Sequence, residues 1–174
     1  MKRQIIAIVM LALMAFAGKA FAYGDVYPSE ADYMVENDGA FILDVRTPQE
    51  WNWVGHPGKN KSGDGEYLEG NVLNVAYKVY HEGYSKGDVL IVNTQFVKDV
   101  KRLLNKDDVI ITMCRSGQRS ESAADALEDA GFTNVYNMET GFEGATDTDG
   151  YRSLDGWKVD DLPYNYSDVG DYKD

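Results

Sequence analysis

Short apolar runs alternate with stretches of helical periodicity along most of the chain. Four of these runs are rich in strand-forming residues: 40–45 (AFILDV), 71–77 (NVLNVAY), 108–113 (DVIITM) and 134–138 (NVYNM). Their apolar residues follow one another rather than alternating with polar ones, which is typical of strands buried on both faces. The pattern therefore predicts four interior strands.

Two helices are predicted in the first third of the chain. The run SEADYMVEND has Ser29 placed as its N-cap, and Gly39 ends it. Further on, Thr47 precedes Pro48, and a cap residue followed by proline at the first helical position is typical of a helix start. We expect a short helix from there through residues 50–54 (EWNWV).

Two more helices are predicted in the second half. Thr94 can cap the run QFVKDVKRLLN, whose apolar residues fall on one face at helical spacing: Phe96, Val97, Val100, Leu103 and Leu104. Residues 120–132 (SESAADALEDAGF) form the other helix, which Gly131 closes. Because strands and helices alternate, the sequence predicts an α/β fold with a central parallel sheet and helices on both of its faces.

The remaining segments are rich in glycine and charged residues. Gly55–Gly70 predicts a surface loop, and Gly83–Gly87 predicts a turn. Beyond residue 138, glycine and aspartate are frequent, and we expect irregular structure that packs over the domain through Trp157 and several tyrosines. No internal repeat and no second domain is evident, so we predict a single domain over residues 23–174.

The first 22 residues predict a cellular location. Lys2 and Arg3 precede a short apolar run at 5–16, and residues 20–22 (AFA) have the small-x-small pattern of a cleavage site, which is typical of a secretory signal peptide. A transmembrane anchor is the alternative, but the run is shorter than the roughly 20 residues that a spanning helix needs. We expect residues 1–22 to be removed and the mature protein to be periplasmic or secreted.

The chain is strongly acidic, with a formal net charge of −12. Removal of residues 1–22 would take away three basic residues and no acidic one, so the mature charge would be −15. Such a surface favours solubility and argues against nucleic acid and anionic membranes as partners. It would also repel an anionic substrate, so binding of an anion would require local hydrogen-bond donors.

Cys114 is the only cysteine of the chain. Exported proteins normally use cysteines in pairs, as disulfides. A single cysteine leaves three alternatives, namely an inert buried thiol, an intermolecular link or a reactive group.

The surroundings of Cys114 favour the reactive group. Cys114 follows the predicted strand 108–113, at the edge where open α/β sheets bind ligands. In the next residues Gly117 permits a tight turn, which can aim successive N–H groups inward as an anion nest. The helix start and the side chains of Arg115 and Arg119 add positive charge, which favours the nucleophilic thiolate. The alternative is an unreactive buried cysteine beside arginines that only face solvent, and the sequence favours it less than a reactive thiol.

Residues 114–120, CRSGQRS, resemble the active-site loop of single-domain rhodanese-like sulfurtransferases. Further stretches resemble that family in the same order along the chain: LDVRTPQEW (43–51), GHPG (55–58), LEGNVLNVAY (68–77), GFTNVYNMETGFEG (131–144) and GW (156–157). The resemblance covers nearly all of the mature chain and implies a three-layer α/β domain. The chain departs from the family pattern where KNKSGDGEY (59–67) interrupts the segment after His56.

The resemblance implies a sulfurtransferase with Cys114 as its catalytic nucleophile. Cys114 would take the outer sulfur of a small anionic donor, thiosulfate or polysulfide, as a persulfide and pass it to cyanide or a thiol acceptor. The substrate-binding loop would comprise Arg115, Ser116, Gly117, Gln118, Arg119 and Ser120. Neither a metal nor an organic cofactor is implied.

Three alternatives to this activity remain. The domain could carry persulfide to one partner protein with little turnover of small donors, or it could be purely structural. Phosphatases of the family place five residues between their cysteine and arginine, whereas four separate Cys114 from Arg119, and Ser120 stands where that arginine would fall. The shorter loop disfavours a phosphatase.

Several other residues have structural interpretations. Arg46 and Glu50 are four residues apart and predict a buried ion pair that holds the strand-to-helix turn. His56 and His81 match no metal-ligand spacing, and the acidic run around Asp147 only weakly resembles a calcium loop.

A set of aromatic residues could line a substrate mouth, although packing in the core and loops is the favoured interpretation: Trp51, Trp53, Tyr77, Tyr80 and Tyr84. The terminal DYKD is either a native acidic tail or the start of an epitope tag.

Overall fold

A computed structural model describes residues 24–81 and 89–166 of the 174-residue chain. The predicted signal peptide, the predicted turn at Gly83–Gly87 and the terminal DYKD lie outside the described residues. None of the described helices combines the length and apolar character that a bilayer-spanning segment requires.

Five parallel strands form the central sheet. In spatial order they are β1 (Gly24–Val26), β8 (Asn134–Met138), β7 (Val109–Met113), β2 (Phe41–Asp44) and β4 (Val72–Asn74). The predicted parallel sheet is confirmed, and its central strand, β7, leads directly to Cys114. The first two predicted strands are shorter than expected, because pairing with a neighbour covers only part of each apolar run.

The described part of the chain has four α-helices beside the sheet: α1 (Pro28–Asp38), α2 (Pro48–Val54), α3 (Phe96–Leu103) and α4 (Gln118–Asp129). The predicted start of α2 is confirmed, since the Thr47 hydroxyl accepts a hydrogen bond from the Glu50 amide. The predicted end of α1 is also confirmed, because Gly39 closes it with a left-handed φ of 68°.

The predicted N-cap of α1 is wrong. Tyr27, not Ser29, precedes the helix, and Pro28 occupies its first position. Proline is favoured there because its fixed φ suits the helix and its missing N–H would have had no partner. The Glu30 carboxylate accepts a hydrogen bond from the Tyr27 amide at 2.9 Å and so takes over the capping.

The start of α3 and its buried face also differ from the prediction. Gln95 is the cap residue in place of Thr94, and its amide donates to the side-chain oxygen of Asn93 at 2.9 Å. Leu103, expected on the buried face, is 54% exposed. The burial of α3 therefore rests on a narrower apolar stripe than the spacing suggested.

Both faces of the sheet are covered, as the apolar strands predicted. Because successive strand residues point to opposite faces, Leu43 and Ile110 pack with α3 and α4, whereas Ile42 and Ile111 pack with α1. Trp157 is fully buried on the α1 side. The predicted three-layer arrangement is confirmed, and the C-terminal segment helps to close one layer.

Several short strands were not predicted. β1 lies at the edge of the sheet, and two small antiparallel pairs join β5 (Lys78–Tyr80) to β6 (Leu90–Val92) and β3 (His56–Pro57) to β9 (Tyr164–Asn165). Each has two or three residues, too few for a hydrophobic period to be visible.

The expected surface loop at Gly55–Gly70 is partly wrong. His56 and Gly58 are buried because β3 pairs with β9, and Leu68 is buried at the end of a 3₁₀ turn (Glu66–Leu68). The exposed residues of the segment are 61–64, Glu66, Glu69 and Gly70.

Candidate functional site

The sulfur of Cys114 lies where the central strand meets a helix start. Cys114 follows β7 directly, and α4 begins at Gln118, two residues earlier than predicted. The side chain of Cys114 is 2% exposed. The N-terminus of α4 carries partial positive charge, which favours an anion on a nearby sulfur.

The backbone of the loop leaves its N–H groups available. The carbonyl oxygens of Cys114 and Arg115 accept hydrogen bonds from the amides of Phe142 and Glu143, at 2.8 and 2.9 Å. Among the described residues, the amides of 115–119 donate no hydrogen bond to another backbone group. These five N–H groups can therefore serve an anion bound at the loop.

Gly117 makes this conformation possible. Its φ of 93° and ψ of −38° lie where residues with a side chain are strained. A Cβ at this position would lie 1.9 Å from the carbonyl oxygen of Glu139. The loop is thus pressed against the turn that follows β8, and only glycine fits between them.

Ser120 lies beside the sulfur. Its hydroxyl is 3.4 Å from the Cys114 Sγ and 2.7 Å from the carbonyl oxygen of Gly117, and it is fully buried. A hydroxyl has one proton to donate, so it can serve the sulfur or the carbonyl at a given moment. The Thr112 hydroxyl lies within hydrogen-bond distance of the carbonyl oxygens of Ser120 (3.0 Å) and Tyr136 (3.1 Å), between the first turn of α4 and β8.

Arg119 forms a two-pronged ion pair with Glu50. Its two terminal nitrogens donate to the two carboxylate oxygens at 2.8 and 2.5 Å, and the side chains are 15% and 19% exposed. Burial opposes ionisation of Glu50, but the hydrogen bonds from Arg119 and Thr47 outweigh it and hold the pKa of Glu50 at about 2. Burial also opposes the charged form of Arg119 and would by itself lower the pKa of that group. The hydrogen bonds and charge of Glu50, and to a smaller extent the Cys114 sulfur, outweigh burial and raise the pKa of Arg119.

The predicted ion pair between Arg46 and Glu50 is wrong. Arg46 pairs instead with Asp44, and both side chains are fully buried. The reason is that Glu50 is already held by the N-cap of its own helix and by Arg119. Arg46 also donates to the carbonyl of Gly55 at 2.8 Å, and its guanidinium lies 4.3 Å from the centroid of the Phe142 ring. It therefore braces the turn that binds the loop carbonyls.

The other loop side chains face outward to different degrees. Arg115 and Gln118 are exposed, and Ser116 is half-buried. The structure thus brings the buried thiol, the buried Ser120 hydroxyl and the available loop amides together. Arg115 is left as the exposed cation of the loop.

A broad open groove of about 1480 Å³ lies elsewhere, beside α2 and between residues 57–62 and 161–166, and Cys114 is not among its lining residues. Trp51 lines this groove and stacks on His56 with ring centroids 3.7 Å apart. We regard the loop as the candidate site, because the nucleophile and the anion-binding groups are there.

The remaining candidate aromatic residues do not form one mouth. Trp53 is 83% exposed and Tyr80 is 40% exposed, whereas Tyr77 packs edge-on against Phe96 in the core. Tyr84 lies outside the described residues.

No group of three or more His, Cys, Asp or Glu side chains that could hold a metal ion occurs within residues 24–81 and 89–166. The carboxylate of Asp147 accepts hydrogen bonds from the amides of Asp149 and Tyr151 and from the hydroxyl of Ser153. This arrangement is a self-capped turn, in which the carboxylate oxygens already serve local donors.

The roles of Glu50 and Glu139 at the loop are not evident from the sequence. The run TPQE predicts a glutamate at the third position of a capped helix, but its partner Arg119 is 69 residues away. The approach of the Glu139 carbonyl to Gly117 likewise depends on the pairing of distant segments.

The model of the Rhodanese-like domain family matches residues 27–148. An uncharacterised protein of Rickettsia conorii is 31% identical over 138 residues, which is 78% of this chain and 90% of that protein. Rhodanese-like domain-containing protein 17 of Arabidopsis thaliana is 36% identical over 106 residues, which is 61% of this chain and 58% of that protein.

Solved structures give a consistent result. The crystal structure of Rv0390 from M. tuberculosis matches with a TM-score of 0.67 at 32% identity and covers 84% of this chain and 100% of that one. The solution structure of the polysulfide-sulfur transferase homodimer from Wolinella succinogenes matches with a TM-score of 0.53 at 18% identity, over 86% of this chain and 83% of that one. The second likeness is one of fold alone.

Proposed function

This chain belongs to the rhodanese-like domain family, and from that premise we propose that it is a sulfurtransferase in which Cys114 carries sulfane sulfur as a persulfide. The observation that carries the proposal is the loop around Cys114. A buried thiol stands at a helix start, and the amides of residues 115–119 are free of other backbone partners. The chemistry needs such an arrangement, because the terminal sulfur of a persulfide is an anion.

In the proposed first step the Cys114 thiolate attacks the outer sulfur of the donor. With thiosulfate, a sulfur–sulfur bond forms to Cys114, the donor's own sulfur–sulfur bond breaks, and sulfite leaves with the electron pair. The persulfide then gives its outer sulfur to cyanide, which becomes thiocyanate, or to a thiol, and the thiolate is restored. No oxidant is consumed, and polysulfide can take the place of thiosulfate.

The loop residues have distinct proposed roles. The amides of 115–119 stabilise the terminal sulfur, and the exposed Arg115 attracts the donor. N–H groups of Arg119 form hydrogen bonds to the bound sulfur compound. The hydroxyl of Ser120 is close enough to donate a hydrogen bond to the attacking sulfur of Cys114. Because Cys114 is the only cysteine, an external acceptor must remove the sulfur.

Intact-mass spectrometry of the reduced protein tests the proposal. Thiosulfate, or in a parallel sample polysulfide, should add the mass of one sulfur atom, and cyanide should remove it and yield thiocyanate. Cys114→Ser is the control and should keep its circular dichroism spectrum but gain no sulfur. Sulfur transfer that persists in a folded Cys114→Ser variant would contradict the mechanism. An adduct that forms but turns over only with a protein partner would identify a persulfide-carrying module instead.

We also propose that the protein acts in the periplasm or outside the cell. The basic start, short apolar run and AFA sequence of residues 1–22 support this location. Expression of the full chain followed by fractionation tests it. The exported form should begin at Tyr23, and a cytosolic full-length product would contradict the proposal.

A further inference from the structure

Glu50 lies at the edge of the loop and is held there firmly. Its carboxylate accepts two hydrogen bonds from Arg119, at 2.8 and 2.5 Å, and two from the amide and hydroxyl of Thr47, both at 3.0 Å. The carboxylate is therefore bound both to the start of α2 and to the first turn of α4. It cannot move away from Arg119 without losing bonds on both sides.

This pair changes the charge that the loop presents to a donor. The loop has two cationic side chains, Arg115 and Arg119, and Glu50 neutralises one of them. The turn that packs against the loop adds two more acidic residues, Glu139 and Glu143. Among the residues that the structure describes, the loop therefore has at most one positive side chain that no carboxylate neutralises.

Arg119 still has hydrogen bonds to offer. A guanidinium has five N–H donors, and the bonds to Glu50 occupy two of them. Arg119 can thus orient a donor through N–H groups, although its charge is cancelled. In this site Arg119 can orient the donor through hydrogen bonds, whereas attraction by charge is left to Arg115.

We infer that Glu50 determines the charge of the sulfur donor, so that the loop favours a monoanionic organic persulfide over the dianion thiosulfate. The inference rests on the proposed function. The step with an organic persulfide is balanced: the Cys114 thiolate attacks the outer sulfur, the sulfur–sulfur bond of the donor breaks, and the organic thiolate leaves. The Cys114 thiolate and an organic persulfide together carry two negative charges, whereas the thiolate and thiosulfate together carry three. The smaller charge suits a loop in which Arg115 is the only cation left uncompensated by the described residues.

Glu50→Gln is the sharpest test. Glutamine can keep the reciprocal capping of α2 but removes the charge, which leaves Arg119 uncompensated. The rate constant for loading sulfur onto Cys114 is measured by mass spectrometry with two donors, thiosulfate and the persulfide of 2-mercaptoethanol generated in situ. The ratio of the thiosulfate rate constant to the persulfide rate constant should rise about threefold to tenfold in Glu50→Gln.

Two control variants isolate the effect. Glu50→Asp keeps the charge and should leave the ratio within about twofold of the wild type. Asp99→Asn removes the same charge from an exposed pair with Arg102 on α3, where the nitrogen and oxygen are 3.0 Å apart, and should also leave the ratio unchanged. An equal rise in Asp99→Asn would show that only the net charge of the protein matters and would overturn the inference.

A second variant tests the same charge balance if Glu50→Gln does not fold. Arg115 is exposed, so Arg115→Gln should fold and should lower the ratio by a similar factor. An unchanged ratio in Arg115→Gln, or in folded Glu50→Gln, would overturn the inference while persulfide loading itself continues. If neither donor loads the wild-type protein, the proposed function fails, and the inference falls with it.

Discussion

Gly117→Ala should destabilise the protein much more than Gly150→Ala, although the two glycines have nearly the same φ, 93° and 89°. A left-handed φ costs an ordinary residue about 1–2 kcal/mol, and both variants incur this cost. Alanine also lowers the entropy of the unfolded chain, which offsets up to about 1 kcal/mol in each. The free energy of unfolding should therefore fall by about 1 kcal/mol in Gly150→Ala, because a Cβ there meets no atom within 4 Å.

Gly117→Ala has an additional cost. Its Cβ would lie 1.9 Å from the Glu139 carbonyl oxygen, whereas real Cβ contacts are essentially never shorter than 3.0 Å. The oxygen would have to move by more than 1 Å. The turn that follows it is held by the hydrogen bonds from Phe142 and Glu143 to the loop carbonyls, so it cannot yield freely. We expect the free energy of unfolding to fall by about 3–5 kcal/mol in Gly117→Ala.

Urea unfolding of the wild type and the two variants measures the free energy of unfolding of each. The slope of this free energy against urea concentration should be the same in all three proteins. Persulfide loading of Cys114 is measured on the same samples under folding conditions. Loading should be lost or greatly slowed in Gly117→Ala and unchanged in Gly150→Ala. Losses of stability that agree within about 0.5 kcal/mol would refute the close approach of the loop to Glu139.

Acid should destabilise the wild type more than Glu50→Gln between about pH 4.5 and pH 2. The folded state holds the pKa of Glu50 at about 2, below the usual 4.5, so the unfolded chain binds the proton first and the free energy of unfolding falls as pH decreases through this window. Urea unfolding at pH 6, 4 and 3 checks this, and a difference between the variants that does not change with pH would contradict it. Trp157→Ala should cost about 3–5 kcal/mol because the side chain is fully buried and its indole N–H donates to the carbonyl of Pro163. Trp53→Ala, at an 83% exposed position, should cost less than about 0.5 kcal/mol, and similar melting temperatures for the two variants would be inconsistent with the packing of the C-terminal segment.

The order of the main elements, the parallel sheet and the position of the lone cysteine all follow from local patterns in the sequence. Buried strands such as 109–113 are visible because their apolar residues follow one another, and α2 is visible because its cap and proline are adjacent. Cys114 and the residues after it could be recognised because a strand, a tight turn and a helix start follow each other directly in the chain. All of these signals are local.

Which distant groups meet at the site depends on how the elements pack against one another. Glu50 lies within reach of Arg46 along the chain, yet it binds Arg119 because α2 and α4 converge at the carboxyl edge of the sheet. Gly117 permits a turn in any loop, but the carbonyl of Glu139 makes it obligatory here. The short strands β1, β3, β5, β6 and β9 exist through pairing alone, since two or three residues have too little intrinsic preference to form a strand without a partner. Contacts of this kind depend on the packing of the whole chain, and local periodicity does not encode them.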